Sequence, residues 1–178
     1  MANDVVTDGK IGINLTTTYA SISSTSTVFF PAAPGATVTT SNNGRYMFVR
    51  AQSDINAFDA VIISTFEDSA AAAPIPRAVS LTTTNAAALG YAPVGFAQVA
   101  ITSSNYGWVC MNGMPKVNLA NGTNPKLPLY TTATAGFLGN TTVSAGYVQG
   151  IVASTSAVGA TAVLCLASYP HLMTSNPV

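Results

Sequence analysis

Two sixteen-residue stretches repeat one plan: GFAQVAITSSNYGWVC over residues 95–110 and GIVASTSAVGATAVLC over residues 150–165. Each opens on glycine, alternates through small and apolar residues, passes a polar turn and closes with an apolar strand ending in cysteine. Such self-similarity predicts two equivalent β-hairpin-like units within one domain. Around them, strand-like runs bounded by turn residues recur at about 8 to 12 residues with no long helical period between. The chain is therefore expected to be all-β, a β-sandwich or a small β-barrel.

The strand signals begin at Arg45. In RYMFVRAQ, Tyr46, Phe48 and Arg50 alternate with Met47, Val49 and Ala51, which gives one strand two unlike faces. FDAVIISTF follows the turn SDIN, and then come IPRAVSL, GYAPVGFAQVAI, YGWVCM, KVNL, LPLYTT, FLGNTTV, YVQGIVAS and TAVLCLASYP. TTTNAAALG reads as a loop or short helix, and SAAAAPIP as a helical turn stopped by Pro74 and Pro76. NGMP is a turn built on Asn112 and Gly113. Residues 1–44 are rich in Thr, Ser, Asn, Gly and Pro, and fit either short strands around Ile11, Ile13, Leu15, Val28, Phe29 and Phe30 or an extended amino-terminal arm that orders on a neighbour. The expected division is an arm or strand-exchange segment over 1–44 and a β-sandwich or barrel core over 45–178. The tail HLMTSNPV reads as a strand end or a strap.

Charge is scarce. Only 12 of 178 residues are Asp, Glu, Lys or Arg, 7% against roughly 25% in ordinary soluble domains, and there is one histidine. The few charges are lopsided: Lys10, Arg45 and Arg50 face Asp4, Asp8, Asp54, Asp59, Glu67 and Asp68 in residues 1–68, whereas residues 69–178 hold Arg77, Lys116 and Lys126 and no acid. Chance in small numbers explains this, or head-to-tail contact between unlike faces of neighbouring subunits. Three dispersed cations are too few for a nucleic-acid groove. A near-neutral, charge-poor surface is a solubility risk for a monomer and less of one when partners cover it.

Most enzyme mechanisms need positioned acids, bases or metal ligands, so this composition predicts a structural or binding protein with no catalytic residues and no cofactor. His171 is the one imidazole base available to a serine nucleophile, and there is no G-x-S-x-G elbow. It is expected at a surface or interface. Asp54, Asp59, Glu67 and Asp68 are possible oxygen ligands for calcium, but their spacing does not match an EF-hand loop and they are expected as turn residues. No two of the six acids stand out as a glycosidase pair. Cys and His do not cluster for zinc, and no Gly-rich loop with Lys is present for phosphate. Trp108, Tyr106, Tyr91, Phe96 and Tyr147 are candidates for a sugar-stacking platform, against the reading that Trp108 anchors a core and the tyrosines pack at its edges. The sequons at Asn14, Asn121 and Asn140 are read as Asn and Thr in turns.

Cys110 and Cys165 hold matched positions in the two repeats and are expected as buried reduced thiols. The amino terminus MANDVVTDGK lacks the basic and apolar regions of a signal peptide. No apolar run approaches the roughly 18 to 20 residues that span a bilayer. Synthesis in a cytoplasm and no membrane partner are expected.

The run VGFAQVAITSSNYGWVCMNG, then LPLYTTATAGFLGN, GYVQGIVAS and a closing strand TAVLCLASYP resembles the head decoration, or cement, proteins of tailed bacteriophages. The resemblance covers roughly residues 45–170. It implies an all-β module, commonly trimeric, that sits outside an icosahedral shell and clamps neighbouring subunits of the major capsid protein. No catalytic, cofactor or metal residue carries over. The leading expectation is a non-enzymatic virion protein on the capsid exterior. The alternatives are another virion component (tail-tube, head-completion or fibre-base protein) and a glycan-binding β-sandwich on the virion. A hydrolase is the remaining class.

Overall fold

A computed structural model describes residues 13–20, 32–64, 75–89, 91–141 and 146–173. Within them, eleven strands and one helix follow the chain as β1 (Thr37–Thr39), β2 (Arg45–Ala51), β3 (Ala60–Ser64), β4 (Arg77–Ser80), α1 (Thr83–Leu89), β5 (Val94–Ala97), β6 (Tyr106–Gly113), β7 (Lys116–Leu119), β8 (Leu129–Thr131), β9 (Leu138–Gly139), β10 (Tyr147–Ala153) and β11 (Thr161–Met173). The all-β expectation holds, and of its two forms the barrel is the one found.

Strands β2, β4, β3, β5 and β6 pair in that order, and β6 returns to β2, closing a five-stranded barrel. Closure leaves these strands without a free edge, and the alternating sequence then sends one set of side chains inward. Val49 and Ala51 of β2, Val61 and Ile63 of β3, Ala78 of β4, Ala97 of β5 and Val109 and Met111 of β6 fill the interior together with Ile55 and Ile101. Five strands enclose little room. At Gly107 on β6 a Cβ would come 2.6 Å from Ile101 Cδ1, so a side chain there would displace the isoleucine.

The opposite faces of the same strands build a second, larger core. Tyr46, Phe48, Ile62, Val94, Phe96, Tyr106, Trp108 and Cys110 pack in one cluster with Val117, Leu119, Leu129, Leu138, Val148, Ile151, Ala153, Cys165 and Leu172. The latter set comes from β7–β11, which form a second circuit of pairings: β11–β10, β10–β8, β8–β9, β9–β7 and β7–β11. The two unlike faces read from RYMFVRAQ are thus the inner and outer walls of the barrel, each buried against its own core.

Both repeats are antiparallel hairpins. In the first, β5 and β6 pair Phe96 with Cys110; in the second, β10 and β11 pair Ala153 with Cys165. The two units are not equivalent in register, because the cysteine of the first lies opposite the residue after the opening glycine and that of the second lies opposite the third residue after it. The second hairpin also has a shift between Gln149 and Ile151, where Ser168, Tyr169 and Pro170 stand opposite Gly150. α1 is the short helix of TTTNAAALG, and Thr82 and Asn85 cap it reciprocally: Thr82 N donates to Asn85 Oδ1 at 2.7 Å and Asn85 N to Thr82 Oγ1 at 3.1 Å.

Of the amino-terminal 44 residues, 32–44 carry β1, which pairs antiparallel with β2. Tyr19 forms a two-bond bridge with Tyr106, at 2.8 and 2.7 Å, and sets its ring edge-on to Phe48. Ile13 and Leu15 pack on the larger core. The expected strand around Val28–Phe30 and the helical turn SAAAA lie outside the described residues.

Candidate interaction surface

The candidate catalytic and binding residues are dispersed. Asp59 is fully buried: its Oδ2 accepts from Asn56 N at 3.0 Å and Ser80 Oγ at 2.8 Å, and its Oδ1 from Asn118 Nδ2 at 3.0 Å. Ser80 belongs to the barrel and Asn118 to β7 in the second circuit, so this carboxylate bonds to both halves of the fold. Gly136, at φ +77°, presses on it so closely that a Cβ there would lie 2.1 Å from Asp59 Cγ. Asp54 is exposed and accepts from Ser103 N at 2.7 Å. Glu67 and Asp68 lie outside the described residues. Among the described residues no three His, Cys, Asp or Glu side chains group as metal ligands.

His171 lies on the exposed side of β11, in register with Gln149, and its ring makes no hydrogen bond among the described residues. The aromatic candidates do not share a platform. Trp108 and Phe96 are fully buried and Tyr106 nearly so, Tyr147 is half-buried against Tyr130, and Tyr91 is 63% exposed. Trp108 packs 4.9 Å from Phe48, ring centre to ring centre, and its Nε1 is buried without a hydrogen-bond partner. It is the core anchor. Cys110 and Cys165 are buried free thiols in one cluster, and burial pushes the Cys165 thiol up to about 12. The sequon asparagines lock turns: Asn14 Oδ1 accepts from Thr16, Asn121 Oδ1 from Gly159 N and Asn140 Oδ1 from Asn124 N.

What the residues do bring together is an apolar surface on β11. Val163, Cys165 and Ala167 point into the core, so Leu164, Leu166 and Ser168 must point out. Leu164 and Leu166 are 40% and 55% exposed. On one side β10 places half-buried Val152 opposite Leu166. On the other, the registers Leu164 with Lys116 and Ala167 with Gly113 carry Met114 opposite Leu166, and Met114 is 60% exposed. Val152, Leu166 and Met114 thus form one apolar row across the sheet, with Leu164 in the next row beside Lys116. The turn leading into β11 exposes Val158 almost completely. One end of the strand is fixed by the irregularity opposite Gly150, where Tyr169 is held by Arg45: Nη1 donates to the tyrosine hydroxyl at 3.2 Å, and the guanidinium lies 5.8 Å from the ring centre.

Sequence reading does not find this surface. TAVLCLASY is apolar at nearly every position, the pattern of a strand buried on both faces. The signal was the continuity itself: this strand has a second apolar face.

No protein-family model matches the chain, and no curated protein matches it. Among solved structures it is similar to one described as the crystal structure of head fiber gp8.5 N base in bacteriophage phi29, with 16% sequence identity and a TM-score of 0.49, over 71% of this chain and 96% of that one. Among the described residues no helix is long and apolar enough to cross a membrane.

Proposed function

We propose that this protein is a non-enzymatic virion structural protein that binds the outer surface of a phage capsid and stabilises it by bridging subunits of the major capsid protein, acting as a homo-oligomer, most naturally a trimer. The observation that carries the reading is the bare apolar row Val152–Leu166–Met114 with Leu164 beside it, in a chain with only 7% charged residues. Two leucines and a methionine left exposed together on one face of a sheet mark a surface for a partner. The segments that resemble phage decoration proteins include both hairpins that build this sheet. Each contact is modest alone; repeated at symmetry-related positions on a shell, such contacts add through multivalency.

The test is co-sedimentation with undecorated expanded capsids. The wild-type protein is expected to saturate a fixed number of sites and to raise the temperature at which the particles release DNA. Leu166→Glu is expected to fold normally and fail to bind. Binding confined to one site per particle or to a fibre would transfer the protein to the fibre-base alternative, and no binding by correctly folded wild type would refute both.

A further inference from the structure

The apolar row on β11 has a cation on either side of it. Leu164 is in register with Lys116 of β7, and the next pair, Val163 with Val117, is buried in the core, so Lys116 and Leu164 share the outer face. Lys116 is exposed; its Nζ lies 5.7 Å from the centre of the Phe58 ring, and its ammonium makes no hydrogen bond or ion pair among the described residues. Beyond Leu166, exposed Arg45 donates to the Tyr169 hydroxyl at 3.2 Å and to Thr37 Oγ1 at 3.1 Å. Neither oxygen carries a charge, so the guanidinium is not neutralised. Leu164 and Tyr169 mark the two cation positions, roughly 15 Å apart along the strand. No acid balances them on this face: β2, β6, β7, β10 and β11 contain no Asp or Glu. Of the described acids, Asp59 is fully buried and Asp54 is committed to Ser103 N.

A partner that covers Leu164 and Leu166 also reaches these cations, and covering a charge costs free energy unless an opposite charge meets it. A second copy brought face to face would supply two more cations and no acid. We propose that the surface received by β11 belongs to a different protein and carries carboxylates at the positions facing Lys116 and Arg45. This rests on the reading of β11 as the capsid-binding face and adds the chemistry of what it binds. The apolar row supplies the affinity, whereas ion pairs at the rim of such a contact add little to it and act on orientation and on the choice of partner. The two ends are unlike, a point-charge ammonium at one and a planar guanidinium fork at the other, so the pairs fix the direction in which the partner lies along β11.

Full-length protein bound to undecorated expanded capsids is treated with a water-soluble carbodiimide. The reagent joins an amine to a carboxylate in contact with it as an amide and takes up the water lost as its urea, and the linked peptides are read by mass spectrometry. Lys116 is expected to link to an Asp or Glu of the capsid protein. Lys116→Arg is expected to bind within about threefold of wild type and to form no link at that position. Lys116→Glu is expected to bind at least about tenfold more weakly with its unfolding midpoint unchanged, because it sets like charges against each other. Arg45→Glu is expected to weaken binding in the same way, and Arg45→Lys to keep it. A link from Lys116 to any acid of this chain, in the free protein or on the capsid, would give the cation to a copy of this chain and overturn the partner. Wild-type binding by Lys116→Glu, with Leu166→Glu unable to bind, would leave the apolar face standing and overturn its charged flanks. Failure of folded wild type to bind would overturn both.

Discussion

At the scale of single residues the molecule is held by groups that the sequence presents as ordinary. Asp59 is one acid among six, yet it is fully buried and bonds to β4 and β7 at once. Removing its carboxylate in Asp59→Ala leaves the Asn56 amide and the Ser80 hydroxyl without this acceptor and the Asn118 side-chain amide with the Ala57 carbonyl alone. Each buried unsatisfied group costs about 1–3 kcal/mol, so a loss of about 3–5 kcal/mol is expected in urea unfolding. A loss under 1 kcal/mol would mean that the network contributes little. Trp108→Ala should cost about 3–5 kcal/mol through the cavity it opens. Trp108→Phe should cost far less, because it also removes the unpartnered Nε1–H. For Cys165, burial favours the neutral thiol, so its folded pKa is raised from 9.0 to about 12. The stability this contributes is complete below pH 9, where the unfolded thiol is still protonated, and is lost as pH rises toward about 12. Cys165→Ala should flatten the pH dependence of unfolding across that window, and alkylation of the folded wild type at pH 9 should be slow.

At the scale of elements, the legible parts of the chain were those in which one face or one turn decides. RYMFVRAQ reads correctly because its two apolar sets differ in size, large aromatics against small and β-branched residues, and the barrel wall separates them in that way. The two hairpins read correctly because glycine, polar turn and strand are local signals. Their register was not legible: in the second hairpin it shifts at the irregularity opposite Gly150, on a strand that also pairs with β6 and β7, and such long-range pairing is not a local signal. The exposed face of β11 was not legible either, since an apolar face awaiting a partner has the same composition as one already buried. That ambiguity yields a prediction. Leu164→Glu and Leu166→Glu should leave the unfolding midpoint within about 0.5 kcal/mol of wild type, as exposed substitutions do, while weakening association by at least about tenfold. If either variant unfolds the protein, the face is part of the core.

At the scale of the whole molecule, closed circuits and scarce charge point the same way. The barrel removes the free edges of its own five strands, and the exposed face of β11 is apolar, so association through that face rests on side chains. Self-association and capsid binding should therefore change little between low and high salt, because screening acts on exposed charges and little on apolar contact. A steep salt dependence would instead make the acidic first third and the basic remainder the contacting parts. Seating of the protein on the capsid exterior through β11 is decided by electron microscopy of virions or of reconstituted expanded capsids. Density for this fold is expected repeated over the outside of the shell at capsid subunit junctions, with Leu164, Leu166 and Met114 covered. Density restricted to tail or fibre, or a shell-bound copy with the β11 face open to solvent, would contradict it.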